Sequence, residues 1–237
     1  MDSSLNSVLG SVSLFDCLLF DLDDTLYSSH TGIGKALKQN VQDFLVEKCG
    51  FPESEAVNVN REFFRTYGSS LAGLRASGYD INPDEYHSYV HGRLPYDSIK
   101  PNILLRNILE TIKQRKMIFT NSDRAHAMNA LDRLGIRDCF EKIICFETMN
   151  PDISTSRRPE EFPVLLKPSM QAFRIAIDAA GIEPRRMVGQ AIKSKEADYA
   201  LETITNMVKL IPEIWQKEES DKRIVPTRSE MDLVVGA

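Results

Sequence analysis

The sequence predicts an α/β fold, a doubly wound, Rossmann-like parallel sheet whose first two strands are separated by a block of helices. Three observations predict it. Cys17-Leu18-Leu19-Phe20, Met117-Ile118-Phe119 and the stretch from Lys142 to Phe146 are short apolar runs, the pattern of strands buried on both faces of a parallel sheet. Between and after them, apolar residues recur at helical spacing. The first run stops abruptly in acids, as at the carboxyl end of a strand in an open α/β sheet, where ligands bind. With 237 residues, 42% of them hydrophobic, the chain can hold a core and a smaller subdomain. A net charge of −5 argues against a general nucleic-acid binder, which needs clustered Lys and Arg. No apolar run approaches the roughly 20 residues that span a bilayer, so no membrane partner is expected.

The elements follow in order. From Gly32 the pattern is helical, with Ile33, Leu37, Val41, Phe44 and Leu45 on one face, and Gly50 with Pro52 ends it. A second helical stretch carries Val59, Phe63, Phe64, Tyr67 and Leu71. Asn82-Pro83-Asp84-Glu85 is a helix start, with a capping residue, Pro in the first turn and acids behind it. Another start follows at Pro101, and its helix carries Ile103, Leu104, Ile108, Leu109 and Ile112. After the strand at Met117, a helix with Ala125, Met128, Leu131 and Leu134 is closed by Gly135. The third strand leads into a polar, Pro-containing loop from Asn150 to Pro163. Ser169 to Ala180 is a helix with Met170, Phe173 and Ile177 on one face, and Ala197 to Ile211 is a last helix stopped by Pro212. The resulting domains are a discontinuous α/β core over 15–27 and 97–215, a helical subdomain over 28–96 and a charged tail over 216–237.

The cysteines, Cys17, Cys49, Cys139 and Cys145, form no C-x-x-C pair and match no zinc spacing, so free thiols in a reducing compartment are expected. Met1 to Leu14 has no basic segment and no Arg-rich amphipathic pattern. A signal or transit peptide is not expected, and the cytoplasm is the expected location.

The chemistry concentrates in Phe20-Asp21-Leu22-Asp23-Asp24-Thr25-Leu26-Tyr27. In an extended segment, residues two apart point to one side, so Asp21 and Asp23 face one site, roughly 7 Å apart at Cα, and Leu22 turns into the core. Two carboxylates there can divide the labour of nucleophile and general acid/base. Their mutual repulsion calls for a cation, and hard oxygen ligands suit Mg²⁺. Thr120-Asn121, at the end of the second strand, offers a hydroxyl and an amide to anionic oxygens. Lys167, before Pro168 and a helix start, offers a charge to a phosphate.

Together these residues resemble the haloacid dehalogenase (HAD) superfamily of phosphohydrolases. Asp21-Leu22-Asp23-Asp24-Thr25 is similar to its first motif, D-x-D-x-T, Thr120-Asn121 to its second and Lys167-Pro168 to its third. The helical insert lies where the family places a type-1 cap. Tyr67 to Leu74, His91-Gly92-Arg93-Leu94-Pro95-Tyr96 and Ala197 to Glu202 are similar to the pyrimidine 5′-nucleotidase-like branch. The resemblance implies that Asp21 attacks phosphorus to form an aspartyl-phosphate. It implies that Asp23 protonates the leaving oxygen and then deprotonates the hydrolytic water. Thr25 would support the loop, and Thr120, Asn121 and Lys167 would hold phosphoryl oxygens. Mg²⁺ would bridge Asp21, the backbone carbonyl of Asp23 and a fourth-motif acid. The implied ligand is a small phosphorylated metabolite, a nucleoside 5′-monophosphate first, with Tyr67, Tyr86 and Tyr89 as candidates for stacking on a base.

The fourth motif should be an apolar strand ending in an acidic pair, then a helix and a further strand. After Ile182-Glu183-Pro184-Arg185-Arg186-Met187 the chain goes straight to Val188-Gly189-Gln190, which resembles the end of that further strand. The core therefore reads as one strand-helix-strand unit short, on the order of 30 residues. Glu196, Asp198 and Glu202 have no strand leading into them and read as solvated or capping acids. The Met187 strand must fill the place beside the first strand or leave a gap there. Two functional expectations follow. One is a Mg²⁺-dependent phosphohydrolase acting on nucleoside monophosphates. The other is a catalytically impaired variant, such as a shortened transcript product, or a non-catalytic phosphate-binding protein.

Overall fold

The computed structural model of the chain describes residues 16–153, 163–181 and 187–189. Four strands, β1 (Cys17–Phe20), β2 (Arg115–Phe119), β3 (Lys142–Ile144) and β4 (Met187–Gly189), form one parallel sheet in the order β3-β2-β1-β4. Register pairs Cys17 with Arg115 on one side of β1 and with Met187 on the other. The strand at Met187 thus fills the place beside β1. All four residues of β1 are buried, as expected of a strand with a neighbour on each edge and packing on both faces.

Between β1 and β2 lie α1 (Ile33–Glu47), α2 (Glu53–Tyr67), α3 (Ser70–Ala76), α4 (Pro83–Gly92) and α5 (Ile103–Thr111). The stretch read as one helix from Val59 to Leu71 is two. Gly68 adopts φ 82° and ends α2, and the Ser69 hydroxyl accepts from Ala72 N to start α3. Asn82 caps α4 as its sequence predicts, accepting from Asp84 N and Glu85 N. On α5, Leu105 and Leu109 are buried, but Ile103 is 74% exposed and Leu104 is also exposed, so only part of the expected face packs.

After β2 come α6 (Arg124–Leu134) and, past β3, a short α7 (Phe146–Met149) that takes up the end of the expected third strand. The last described helix is α8 (Met170–Ala180). Its buried stripe is Ala172, Ala176 and Ala180, not Met170, Phe173 and Ile177. Small residues at i, i+4 and i+8 let the helix approach the sheet closely, and Phe173 packs edge-on against Phe119 from the side. The helix expected over Ala197 to Ile211, the acids Glu196, Asp198 and Glu202 and the tail lie outside the described residues.

The apolar interior has three parts. One packs α5 and α6 on a face of the sheet around Leu18, Phe20 and Ile118, and another packs α8 on the opposite face around Leu19, Met117 and Phe119. The third gathers Val41, Phe44, Leu45, Leu71, Leu74, Tyr86 and Val90 of α1, α3 and α4 with Phe146 and Leu166. Cys17, Cys49, Cys139 and Cys145 are all free thiols. Among the described residues, no helix is long and apolar enough to cross a membrane.

Candidate active site

The site begins where β1 ends. The Leu22 carbonyl accepts from Thr25 N at 3.2 Å and Leu26 N at 2.9 Å, closing a tight turn. Asp24 sits at φ 54°, in the left-handed region that a short polar side chain tolerates. Leu22 is fully buried, as its alternation with the two acids requires, and the Asp23 carboxylate meets the Thr120 hydroxyl directly after β2. Burial and the neighbouring charge of Asp23 push the Asp24 carboxyl up.

Asp21 is met by Lys167, a residue 146 positions away. The Lys167 ammonium donates to Asp21 Oδ1 at 2.6 Å and to the Phe119 carbonyl at 2.6 Å. Leu22 N also donates to Asp21 Oδ1, at 2.8 Å. Among the described residues both kinds of donor fall on Oδ1 and not on Oδ2. The lysine reaches this place because Asn121 grips its backbone: Lys167 N donates to Asn121 Oδ1 at 2.7 Å, and Asn121 Nδ2 donates to the Lys167 carbonyl at 3.1 Å. A cis peptide joins Lys167 to Pro168.

Asp23 is held more tightly. Tyr27 donates its hydroxyl to Oδ1, and His126 Nε2 meets the same oxygen at 2.7 Å. Ser122 Oγ donates to Oδ2 at 2.7 Å, and Thr120 Oγ1 lies 3.4 Å from it. Burial opposes ionisation of Asp23, but the charge and hydrogen bond of His126, with the hydroxyls of Tyr27 and Ser122, override it. The carboxyl is held well below the usual carboxylate range. In turn, burial would lower the His126 imidazole, and Asp23 outweighs that and raises it. The Tyr27 phenol is pushed up by burial and by the same carboxylate.

The sequence-predicted residues are therefore brought to one place, with specific contacts. Asp21 pairs with Lys167, and Asp23 meets Thr120. Asn121 is spent on anchoring Lys167. Thr25 closes the turn through its backbone N–H. Of the tyrosines, Tyr86 is buried edge-on against Phe44, Tyr89 donates to Glu47 Oε2 at 2.7 Å, and Tyr67 packs on Phe63 while half exposed. Sequence reasoning missed Tyr27, Ser122 and His126. A signal for His126 exists: Asp123 is a strong N-cap three residues before it, and helical side chains lean back toward the N-terminus. His126 therefore lies in the first turn of α6, over the strand ends.

Mg²⁺ is the cation that the resemblance implies. Among the described residues no group of three or more His, Cys, Asp or Glu side chains could hold a metal ion. Both Asp23 side-chain oxygens already have protein donors. The described side chains do not by themselves compose the oxygen shell that Mg²⁺ takes.

Comparison with known proteins gives the family and the fold. The family model of haloacid dehalogenase-like hydrolases matches residues 15–189. The chain belongs to that family. A curated yeast relative, Phosphate metabolism protein 8 of Saccharomyces cerevisiae, is 31% identical over 132 residues, 52% of this chain and 41% of the relative. The matched stretch thus spans less than half of that protein's length. Among solved structures, CbbY of Rhodobacter sphaeroides in complex with phosphate superposes with a TM-score of 0.50 at 15% identity, covering 81% of this chain and 96% of CbbY. The HAD phosphatase of Thermococcus onnurineus gives 0.49 at 20% identity, covering 83% and 98%. At 15% identity the likeness to CbbY is one of fold.

Proposed function

We propose that the chain is a phosphohydrolase of small phosphate monoesters, with nucleoside 5′-monophosphates the first class of substrate and residues 28–96 acting as the cap over the site. The observation that carries this reading is the Lys167 ammonium 2.6 Å from Asp21 Oδ1 at the carboxyl end of β1. A partly buried cation beside a carboxylate is a place for a second anion, and a phosphoryl group brings three charged oxygens to it. The likeness to the yeast Phosphate metabolism protein 8 points the same way.

In the proposed reaction Asp21 Oδ2 attacks phosphorus in line, and the bond from phosphorus to the leaving oxygen breaks. Asp23, a carboxylate in the resting site, takes up a proton from solvent as the negatively charged phosphate enters and passes that proton to the leaving oxygen. Water then attacks the aspartyl-phosphate, Asp23 takes its proton, and the bond from phosphorus to Asp21 breaks to release inorganic phosphate. Lys167 neutralises the phosphoryl oxygens in both steps. Thr120, directly after β2, offers them a hydroxyl, and Asn121 keeps the lysine in place. No step here is routed through Mg²⁺, which is tested as an addition to the assay.

A specific observation favours a second reading, a catalytically impaired or phosphate-binding protein. β4 occupies the place beside β1 where the resemblance calls for the fourth-motif strand, yet the sequence after it runs Gln190-Ala191-Ile192-Lys193, with no acid. Phosphate release by the purified chain from a panel of nucleoside monophosphates, with and without Mg²⁺, separates the two. The proposal expects release that Asp21→Asn abolishes, because nucleophile loss costs several orders of magnitude. Absence of release from every monophosphate, or release that survives Asp21→Asn, overturns it.

A further inference from the structure

We propose that His126, buttressed by Tyr96, is the positioning residue of Asp23. It fixes Oδ1 and leaves Oδ2, held only by rotatable hydroxyls, to turn to the reacting group. The inference deepens the phosphohydrolase reading and rests on it for the role of Asp23.

The geometry sets His126 apart from the other donors. Tyr27 belongs to the same turn as Asp23 and moves with it. Ser122 and Thr120 reach Oδ2 through hydroxyls, which can rotate and can accept as well as donate. His126 is fully buried and held at both ring nitrogens. Because a carboxylate only accepts, Nε2 facing Asp23 Oδ1 is an N–H, and Nδ1 is paired with the Tyr96 hydroxyl at 2.8 Å. The ring cannot flip without losing both partners.

Its helix is fixed as well. Asp123 caps α6 by accepting from Ala125 N and His126 N through Oδ2, and Oδ1 of the same carboxylate meets His91 Nδ1 of α4. The His91 ring lies 4.6 Å from the His126 ring, centroid to centroid, and covers it. The segment from β1 to β2 thus supports the ring through Tyr96 and His91. A group whose own orientation is set by a partner held on both sides is the arrangement that precise proton transfer requires.

The test uses the full chain. His126→Gln keeps an N–H donor near the Nε2 position, and His126→Phe keeps ring volume without one. On a nucleoside monophosphate, whose leaving oxygen needs a proton, His126→Phe should lower kcat by about 10- to 100-fold with little change in KM, the cost of misplacing a catalytic group. His126→Gln should recover most of that loss. On p-nitrophenyl phosphate, whose leaving group departs unprotonated, the loss should be smaller. With Asp23→Asn already present, adding His126→Phe should change kcat less than about twofold, since the two act as a unit. Equal losses in both backgrounds, or no difference between Gln and Phe, overturn the proposal.

A readout without turnover guards against failure of the wider reading. Wild-type protein without substrate should show a hydrogen-bonded imidazole N–H proton resonance, assigned by its loss in His126→Gln, that moves in Asp23→Asn. Its absence from the wild type, or its indifference to Asp23→Asn, overturns the clamp. If the resonance behaves as expected while no substrate releases phosphate, the phosphohydrolase reading fails and the clamp stands.

Discussion

A hydrogen atom is all that Gly73 has room for. It lies inside α3 where that helix crosses α2, and a Cβ built there would fall 2.5 Å from the Phe63 Cβ, with the Phe63 ring nearer still. On propensity alone, Gly→Ala within a helix should stabilise by about 0.5–1 kcal/mol. Overpacking acts the other way at about 1–3 kcal/mol and should win, because the obstruction includes a Cβ, which cannot rotate away. Gly73→Ala is expected to lower Tm by about 2–10 °C, measured by thermal denaturation of the purified chain. An unchanged or raised Tm would show that α2 and α3 can separate at no cost. The same scale shows where sequence reading stops. Asp21 and Asp23 were legible because alternation along an extended segment puts both on one side. Tyr27 and Ser122 were not, since each looks like an ordinary turn residue until the fold supplies the carboxylate it bonds.

Elements were legible where local chemistry sets their ends. Asn82, Asp123 and Ser169 each cap a helix through their side chains, at starts that the sequence marks with polar residues. The break between α2 and α3 was not legible, because Gly68 can end a helix or sit within one, and Ser69 decides only together with the turn. The burial of α8 was misjudged because large apolar residues dominate a periodicity reading, whereas close approach to a sheet selects alanines. One element carries a pH signature. His87 of α4 is buried against Phe146, ring centroids 4.5 Å apart, and stacks on His91. Burial, then the neighbouring His91 charge, lowers its pKa to about 3. The unfolded chain, with an ordinary value of about 6.5, binds that proton first. Stability from His87 is therefore present above about pH 6.5 and lost as pH falls toward about 3, at up to about 1.4 kcal/mol per pH unit. His126 has the opposite sign, since its raised pKa makes protonation favour the fold. His87→Phe removes one contribution and keeps the other. Urea denaturation at pH 6.5 and pH 5 should show the wild type losing about 2 kcal/mol more than the variant over that interval. Equal losses would mean that His87 takes up its proton without leaving its place.

At the scale of the whole molecule, the question is what a HAD-like sheet can do when β4 enters beside β1 by way of Met187-Val188-Gly189. Strand order positions Asp21 and Asp23 between β2, which leads into Thr120 and Ser122, and a neighbour on the other edge of β1. Scaffold and chemistry are therefore separable. Three residues of apolar strand suffice to cover an edge of β1, but they bring no carboxylate directly behind them. Lys167 offsets the Asp21 carboxylate, and the donors around Asp23 offset the second, so the resting site is satisfied without a further cation. A phosphoryl group entering it adds negative charge that these same residues must share. Metal stabilisation of transition-state charge is worth several kcal/mol, and each 1.4 kcal/mol is about tenfold in rate. The chain should therefore turn over a nucleoside monophosphate about 100- to 10,000-fold more slowly than a family member that carries both fourth-motif acids. Its rate should also respond weakly to Mg²⁺. Parallel kcat measurements on the two proteins across a Mg²⁺ titration check this. Turnover equal to the complete enzyme, saturating at low Mg²⁺, would mean that an acid elsewhere in this chain reaches the metal and that the short passage into β4 costs the chemistry nothing.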